Sequence, residues 1–353
     1  MTDGTVITIA CDESGSEGEN LMSAAHPVFV HASVNVSREE AFDIVDRLRA
    51  ASGSRASELK SKAVLQPSNR YALLTELHRL GIQGNIAIVD KAFYVTAKMV
   101  DLLLEEDAHA KGLPSMAFVG LGRELASSLH AEAPAAVGHE RWSTVLTEFN
   151  KLIRSYARAN SMPPTVHPFF DALDRATENC SNEALQGVLA TLADVRHHAY
   201  GHEGPSLDTF KEMDPMLPTL AAVARTWRWR IGDVPFEFVC DNYPALDERM
   251  REWIVLAASV DLPIPGSPWR PAQLRAIRMA DSRFDARIQV ADILAGVGRE
   301  ISRLAFENEF DDALQVAAHE LLDVNVMSSD GSPLDTLVRR RPHKYIDQWN
   351  DSA

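Results

Sequence analysis

The stretch V-I-T-I-A-C-D-E-S-G at residues 6–15 decides our prediction of the fold. Its first six residues are mostly β-branched and apolar, which favours a short strand. The D-E-S-G that follows is typical of a turn, so we predict that the strand ends at Cys11 and that Asp12 lies directly after it. A second β-rich run, Val28 to Val36, follows closely and is predicted to pair with the first as an antiparallel neighbour.

Strand and helix patterns alternate at both ends of the chain. Ser37, followed three residues later by Glu40, forms a capping box that predicts the start of a helix. Further strands are predicted at residues 82–89, 234–240 and 274–280, and further helices at residues 67–80, 243–260 and about 285–306. The alternation predicts an α/β core.

The middle of the chain has a different character, with helical periodicity and proline-rich joints from about residue 97 to 231. We therefore predict a core in two parts, interrupted by a helical insertion. The predicted division is a first core part (1–95), the insertion (96–231), a second core part (232–325) and a C-terminal tail (326–353). The insertion is a candidate surface for a protein partner.

Composition limits the functional classes. The 353 residues are 46% hydrophobic and 24% charged, which is typical of a globular protein rather than a disordered one. Three cysteines without metal-ligand spacing favour a reducing compartment, and neither a signal peptide nor a membrane-spanning run is evident. We expect a cytoplasmic protein without membrane contact. The net charge of −15 argues against broad, non-specific nucleic-acid binding, although a carboxylate site that binds metal is acidic in any case.

The dipeptide Cys-Asp ends two predicted strands, at Cys11-Asp12 and at Cys240-Asp241. Successive side chains of a strand point to opposite faces, so each cysteine can enter the core while the aspartate projects the other way. Ligands of open α/β sheets gather beyond the carboxyl ends of strands, and hard cations take oxygen ligands. Asp12 and Asp241 are therefore candidate metal ligands. The alternative is that each aspartate only starts a turn.

A third carboxylate, Asp292, lies in the apolar helix I-Q-V-A-D-I-L-A-G (residues 288–296). A buried carboxylate must be paired or metal-bound, which makes Asp292 the third candidate ligand. Gln289, Asp292 and Arg299 share one stripe of this helix, and we expect Gly296 to keep that surface open. The alternative is a salt bridge between Asp292 and Arg299.

These motifs resemble domain-of-unknown-function family 3800. The resemblance rests on D-E-S-G after the first strand and on I-Q-V-A-D-I-L-A-G near the C-terminus, together with E-L-K at residues 58–60, V-C-D at 239–241 and A-D-S at 280–282. It covers roughly residues 5–95 and 232–310 and implies a ribonuclease-H-like fold. It also implies a nuclease that uses Mg²⁺ or Mn²⁺ to hydrolyse phosphodiester bonds in RNA or DNA.

Carried over by position, the resemblance implies that Asp12, Asp241 and Asp292 bind metal. Two metal ions held by such carboxylates can activate a water and stabilise the leaving oxygen. The catalytic residues would be these three with Glu58 and Lys60, where Lys60 stabilises transition-state charge or is simply a solvated lysine. A typical core of this class has three antiparallel strands before its first helix, whereas here a helix precedes E-L-K. The fourth acid therefore stays open among the following residues: Glu58, Glu13 and Asp90.

Other signals suggest alternatives. Glu58-x-Lys60 also matches restriction-endonuclease-like folds, in which Asp292 would have no role. Arginines interleave with tryptophans around Trp227, a mixture that suits nucleic acid, but the helical spacing favours a core position for Trp227. Histidines at residues 197, 198 and 202 are better explained as a helix end than as a metal site. A binding or regulatory protein that retains the fold without catalysis is the main alternative function.

Overall fold

A mixed sheet organises the protein. The computed structural model describes residues 6–16, 18–22, 25–116, 120–154, 165–199, 211–261, 270–319 and 322–339. Within these ranges six strands form one sheet in the order β5-β4-β1-β2-β3-β6. The strands are β1 (Ile7–Ser14), β2 (Val28–Val34), β3 (Gly84–Asp90), β4 (Phe236–Cys240), β5 (Leu274–Met279) and β6 (Leu322–Met327).

The sheet combines a local meander with long-range parallel pairs. Strands β1, β2 and β3 are successive antiparallel neighbours. Strand β4 lies parallel to β1, β5 lies parallel to β4, and β6 lies parallel to β3. Mixed α/β architecture and the predicted β1–β2 hairpin are thereby confirmed.

The helices follow in chain order. They are α1 (Arg38–Ser52), α2 (Ser61–Val64), α3 (Arg70–Leu80), α4 (Lys91–Met99), a π-helical segment (Val100–Glu105), α5 (Glu106–Ala110), α6 (Leu121–Val137), α7 (His139–Ile153), α8 (His167–Glu178), α9 (Glu183–Asp194), α10 (Arg196–Ala199), α11 (Met216–Ile231), α12 (Glu248–Ser259), α13 (Ala286–Phe306), α14 (Asp312–His319) and α15 (Asp335–Arg339). The capping box is confirmed, since Ser37 Oγ accepts from Glu40 N and Glu40 Oε2 accepts from Ser37 N.

Each face of the sheet is covered by its own set of helices. Ala10 of β1 and Val239 of β4 belong to the hydrophobic cluster formed with α1, α3 and α13. Ile9 and Cys11 of β1 belong to the cluster formed with α12 and the helices between β3 and β4. Because strand side chains alternate between faces, Asp12 shares the face of Ala10 and α13.

Close helix–sheet contact depends on a glycine of α13. A Cβ added to Gly298 would lie 2.7 Å from Ile86 Cγ2 and from Val30 Cγ1. Helix α13 packs across β1, β2 and β3. The missing side chain therefore sets how closely the helix approaches the sheet.

Several predicted boundaries were wrong. Strand β1 continues to Ser14. Its last three residues, Asp12, Glu13 and Ser14, pair with three residues of β2, which are Ala32, His31 and Val30 in the same order. Helix α12 begins at Glu248, with Asp247 as its N-cap, rather than at Tyr243. Strand β6 was not predicted. It spans the predicted boundary between the second core part, which ends at residue 325, and the tail, which begins at residue 326. The division into parts stays a prediction.

No helix within the described ranges is both long and apolar enough to cross a membrane. His202 lies outside the described residues, as do Arg340, Arg341 and Lys344 of the predicted C-terminal tail.

Candidate functional site

Asp12 and Asp241 are neighbours across the β1–β4 pair. Cys11 and Cys240 are register partners in the parallel ladder, so the next residue of each chain segment is an aspartate. Both cysteines are buried in the same hydrophobic cluster, as predicted. Asp12 is only 6% exposed, whereas Asp241 is half-buried directly after the last residue of β4.

Asp292 reaches this sheet edge from α13. The helix is buried on most of its surface, and it packs against β1 and β2. Asp292 is half-buried on the face of α13 that meets the start of α2. Its Oδ2 accepts a 2.6 Å hydrogen bond from Ser61 N. No ion pair in the described part of the chain joins Asp292 to Arg299, so the alternative of a structural salt bridge is not supported.

The electrostatics link the three aspartates. Burial raises the pKa of Asp12 well above its ordinary value, and the negative charges of Glu13, Asp292 and Asp241 raise it further. Burial also raises the pKa of Asp292, against the opposing effects of the Ser61 hydrogen bond and the Lys60 charge. Three carboxylates that repel in a partly desolvated region would gain from a bound cation.

Glu58 and Lys60 lie beside these carboxylates. Lys60 Nζ is 2.5 Å from Glu58 Oε1. Partial burial acts to lower the pKa of Lys60, but the Glu58 hydrogen bond and the charges of Asp292 and Asp12 outweigh it and raise the pKa. Lys60 is therefore a cation held at the carboxylate group, with its side chain 51% exposed.

A buried glutamine joins the loops that carry the site. Gln289 Oε1 accepts a 3.0 Å hydrogen bond from Leu59 N, and Gln289 Nε2 donates a 2.7 Å hydrogen bond to Ser282 O. Ser282 in turn donates from Oγ to Glu58 Oε1 at 2.5 Å and from N to Asp241 Oδ1 at 3.3 Å. Gln289 and Ser282 thus connect Asp241 to the Glu58 loop.

We predicted that Gly296 keeps the surface of α13 open, but in the structure it accommodates Ser61, the first residue of α2. A Cβ added there would lie 2.3 Å from Ser61 Cβ and 2.8 Å from Ser61 Oγ. The glycine therefore lets Ser61 approach α13 closely enough for its N–H to reach Asp292.

Glu13 is an additional acid at the other face of β1. Burial raises its pKa to about 7, and the charges of Asp241 and Asp214 contribute in the same direction. Asp214 comes from the joint before α11, and both of its carboxylate oxygens accept from Tyr243 Oη, at 3.1 and 2.8 Å. Asp214 was missed in the sequence because its approach to Glu13 depends on the position of the insertion.

Asp90 lies elsewhere and has a structural role. Its Oδ1 accepts a 3.0 Å hydrogen bond from Phe93 N and so caps α4, and its Oδ2 is 3.7 Å from His130 Nε2. Asp90 is the last residue of β3, which is separated from β1 by β2. Glu58 and Glu13 stay the candidates for the predicted fourth acid.

Two of the tryptophan and arginine residues of α11, Trp227 and Arg225, pack within the protein, whereas Trp229 is 45% exposed. Trp227 is 1% exposed and its Nε1 donates a 2.8 Å hydrogen bond to Ser33 Oγ. Arg225 Nη2 donates to the carbonyl oxygens of Ala257 and Val260 at 2.7 and 2.8 Å. These residues support the fold, and the predicted core position of Trp227 is confirmed.

The three candidate ligands, Asp12, Asp241 and Asp292, suit a hard cation, since each offers carboxylate oxygens. Among the described residues, however, no group of three or more histidine, cysteine, aspartate or glutamate side chains is already gathered closely enough to hold a metal ion. The charges of Asp241 and Asp292 raise the pKa of Asp12, but the set of metal ligands stays a prediction.

No family model matches the chain, and neither a curated protein nor a solved structure is detectably similar to it.

Proposed function

We propose that the chain is a metal-dependent nuclease with a ribonuclease-H-like core, which hydrolyses phosphodiester bonds in RNA or DNA. One observation carries the proposal: the carboxylate of Asp12 on β1 is repelled by two others, Asp241 after the adjacent parallel strand and Asp292 on α13, which packs against β1. The strand order β3-β2-β1-β4-β5 supports a ribonuclease-H-like core, because three antiparallel strands are followed by two parallel ones. Helices α1–α3 would then be an elaboration between β2 and β3.

Mg²⁺ or Mn²⁺ would be held by Asp12, Asp241 and Asp292. The fit rests on the donor set, which is all oxygen, and on the raised pKa values of Asp12 and Asp292. When bound, the metal would supply Lewis-acid activation at the scissile phosphate. Glu58 or Glu13 would complete the acidic group.

Lys60 would act on the substrate. Its ammonium is fixed by Glu58 and lies near the charges of Asp12 and Asp292. A fixed cation beside the reacting phosphate stabilises charge that develops in the transition state. Ser282 and Gln289 would hold the Glu58–Lys60 loop in place rather than react.

The decisive experiment is cleavage by Asp12→Asn. Single- and double-stranded RNA and DNA are incubated with Mg²⁺ and with Mn²⁺, with EDTA as the blank. We expect metal-dependent cleavage by the wild type, loss of cleavage in Asp12→Asn and no change in Asp330→Asn, whose side chain is 85% exposed. Equal activity in Asp12→Asn would reject the assigned role of Asp12.

A second candidate is a binding or regulatory protein that has the same fold without catalysis. It is favoured by the lack of a ready metal group in the described residues and by the net charge of −15. The helical insertion would then be the surface for a protein partner. Absence of cleavage on every substrate with both metals would support this candidate over the nuclease.

A further inference from the structure

An exposed aromatic ring stands beside the carboxylate site. Phe284 is 84% exposed and lies in the tight turn closed by the hydrogen bond from Phe284 N to Asp281 O at 2.9 Å. Within the same turn, Ser282 binds both Asp241 and Glu58. The turn that presents the ring is therefore tied directly to the proposed active site.

Three cations surround this turn. Arg283 packs its guanidinium 5.7 Å from the Phe284 ring centre and pairs with Asp281 at 2.5 Å. Lys60 pairs with Glu58, and Arg38 lies 3.9 Å from Asp285.

Each pair is oriented with its cation outward. The side chains of Arg283, Lys60 and Arg38 are 60%, 51% and 77% exposed. Their carboxylate partners, in the same order, are 28%, 21% and 6% exposed. In each pair the cation is more exposed than the acid, so three cationic side chains reach solvent beside this turn on a chain whose net charge is −15.

We propose that Phe284 stacks on an unpaired base of a single-stranded nucleic acid, while Arg283, Lys60 and Arg38 contact its phosphates. An aromatic face combined with cations that follow the backbone is the arrangement by which single strands are bound. In a duplex the bases are stacked on one another, so Phe284 would have no free base face to contact. This inference rests on the proposed nuclease function and names its substrate as single-stranded.

Binding measurements test the inference apart from catalysis. Fluorescence anisotropy is recorded with a labelled single-stranded oligonucleotide and with a duplex of the same sequence. Ca²⁺ is present to neutralise the carboxylates, and gels check that the oligonucleotides stay intact. We expect Phe284→Ala to weaken single-strand binding by about five- to a hundredfold, the effect of losing one stacked base. Tyr71→Ala is the matched control, because Tyr71 is a comparably exposed aromatic on α3, at 85%.

An abasic scan locates the contact. One abasic position should weaken binding to the wild type and have no further effect in Phe284→Ala, because the base and the ring form one interaction. Arg283→Gln should reduce the slope of log K against log salt by about 0.7, the value for one phosphate contact in a single strand. Phe284→Leu retains apolar surface without the aromatic face and should bind as weakly as Phe284→Ala.

The outcomes separate this inference from the proposed function. Cleavage with unchanged binding in Phe284→Ala overturns the stacking proposal and leaves the nuclease. Phe284-dependent binding without cleavage by the wild type upholds stacking and overturns the nuclease. Equal sensitivity of duplex and single strand to Phe284→Ala, or no binding to either, overturns the stacking proposal.

Discussion

Ser61 and Asp292, separated by 231 residues in sequence, are joined by a 2.6 Å hydrogen bond from the backbone N–H of one to Oδ2 of the other. This bond fixes the orientation of the carboxylate on α13 and attaches the Glu58–Lys60 loop to the helix. Gly296 makes it geometrically feasible, because any side chain there would occupy the space of Ser61.

Gly296→Ala should therefore disturb the site through packing. The new Cβ would lie 2.3 Å from Ser61 Cβ, which forces the loop away from α13 and breaks the bond to Asp292. We expect a loss of about 1–3 kcal/mol in the free energy of unfolding. The stabilising effect of Mn²⁺ should also shrink, as measured by melting with and without the ion.

Gly187→Ala is the matched control for this substitution. Gly187 is inside α9 and a Cβ there would meet nothing within 4 Å. Alanine should stabilise this helix by about 0.5–1 kcal/mol. Destabilisation by both substitutions to the same degree would show that Gly296 has no special relation to Ser61.

Asp292→Asn should stabilise the protein when metal is absent. Its raised pKa shows that the charged carboxylate is disfavoured in the folded state, mainly by burial. At pH 7.5 in EDTA the melting temperature should rise. Wild type in Mn²⁺ should gain about 2.7 kcal/mol at one hundred times the dissociation constant, and the variant should gain less. A variant that melts lower in EDTA and responds equally to Mn²⁺ would make Asp292 a structural residue.

Glu13 should give the apo protein a defined pH dependence. Its pKa rises from 4.5 in a free side chain to about 7 in the fold. Below 4.5 the group is protonated in both states, and as the pH rises toward 7 the unfolded chain releases the proton first, so stability is lost. We therefore measure the melting temperatures of Glu13→Gln and of the wild type in EDTA. The difference, variant minus wild type, should increase from pH 4.5 to 7 and then level off. A flat difference would contradict the burial of this charge.

His31 should act in the opposite sense. It is the cross-strand partner of Glu13 and 1% exposed, and both ring nitrogens lack a hydrogen-bond partner in the structure. Burial lowers its pKa from 6.5 to about 3, so stability is lost as the pH falls through this window, where the unfolded chain binds the proton. Relative to His31→Phe, the wild type should lose stability progressively below pH 6.5. The exposed His167, replaced by Gln, controls for the removal of one histidine. If His31→Phe loses stability below pH 6.5 as steeply as the wild type, the prediction is refuted.

Local signals were sufficient for much of the core. The Ser37–Glu40 capping box fixed the start of α1, and the two Cys-Asp dipeptides indicated a buried cysteine followed by an aspartate in each of two strand regions. These features depend on a few neighbouring residues and on the alternation of side chains in a strand.

Features that depend on distant parts of the chain could not be predicted. Strand β1 continues past Asp12 because pairing with β2 outweighs the turn preference of D-E-S-G, and β6 gains its place only by pairing with β3. Gln289 contacts Leu59 across 230 residues of sequence, and nothing in its own helix indicates that contact. The roles of Gly296 and Asp214 likewise depend on loops that the sequence leaves unplaced.

Anomalous diffraction from crystals soaked in Mn²⁺ tests the central claim most directly. The account predicts a manganese peak within about 2.0–2.6 Å of carboxylate oxygens from Asp12, Asp241 and Asp292, which is the range of metal–oxygen bonds. The peak should disappear in Asp12→Asn. Manganese bound only elsewhere, or carboxylates of Asp12 and Asp292 more than about 10 Å apart at saturating Mn²⁺, would contradict it, because no metal–oxygen bonds bridge that gap.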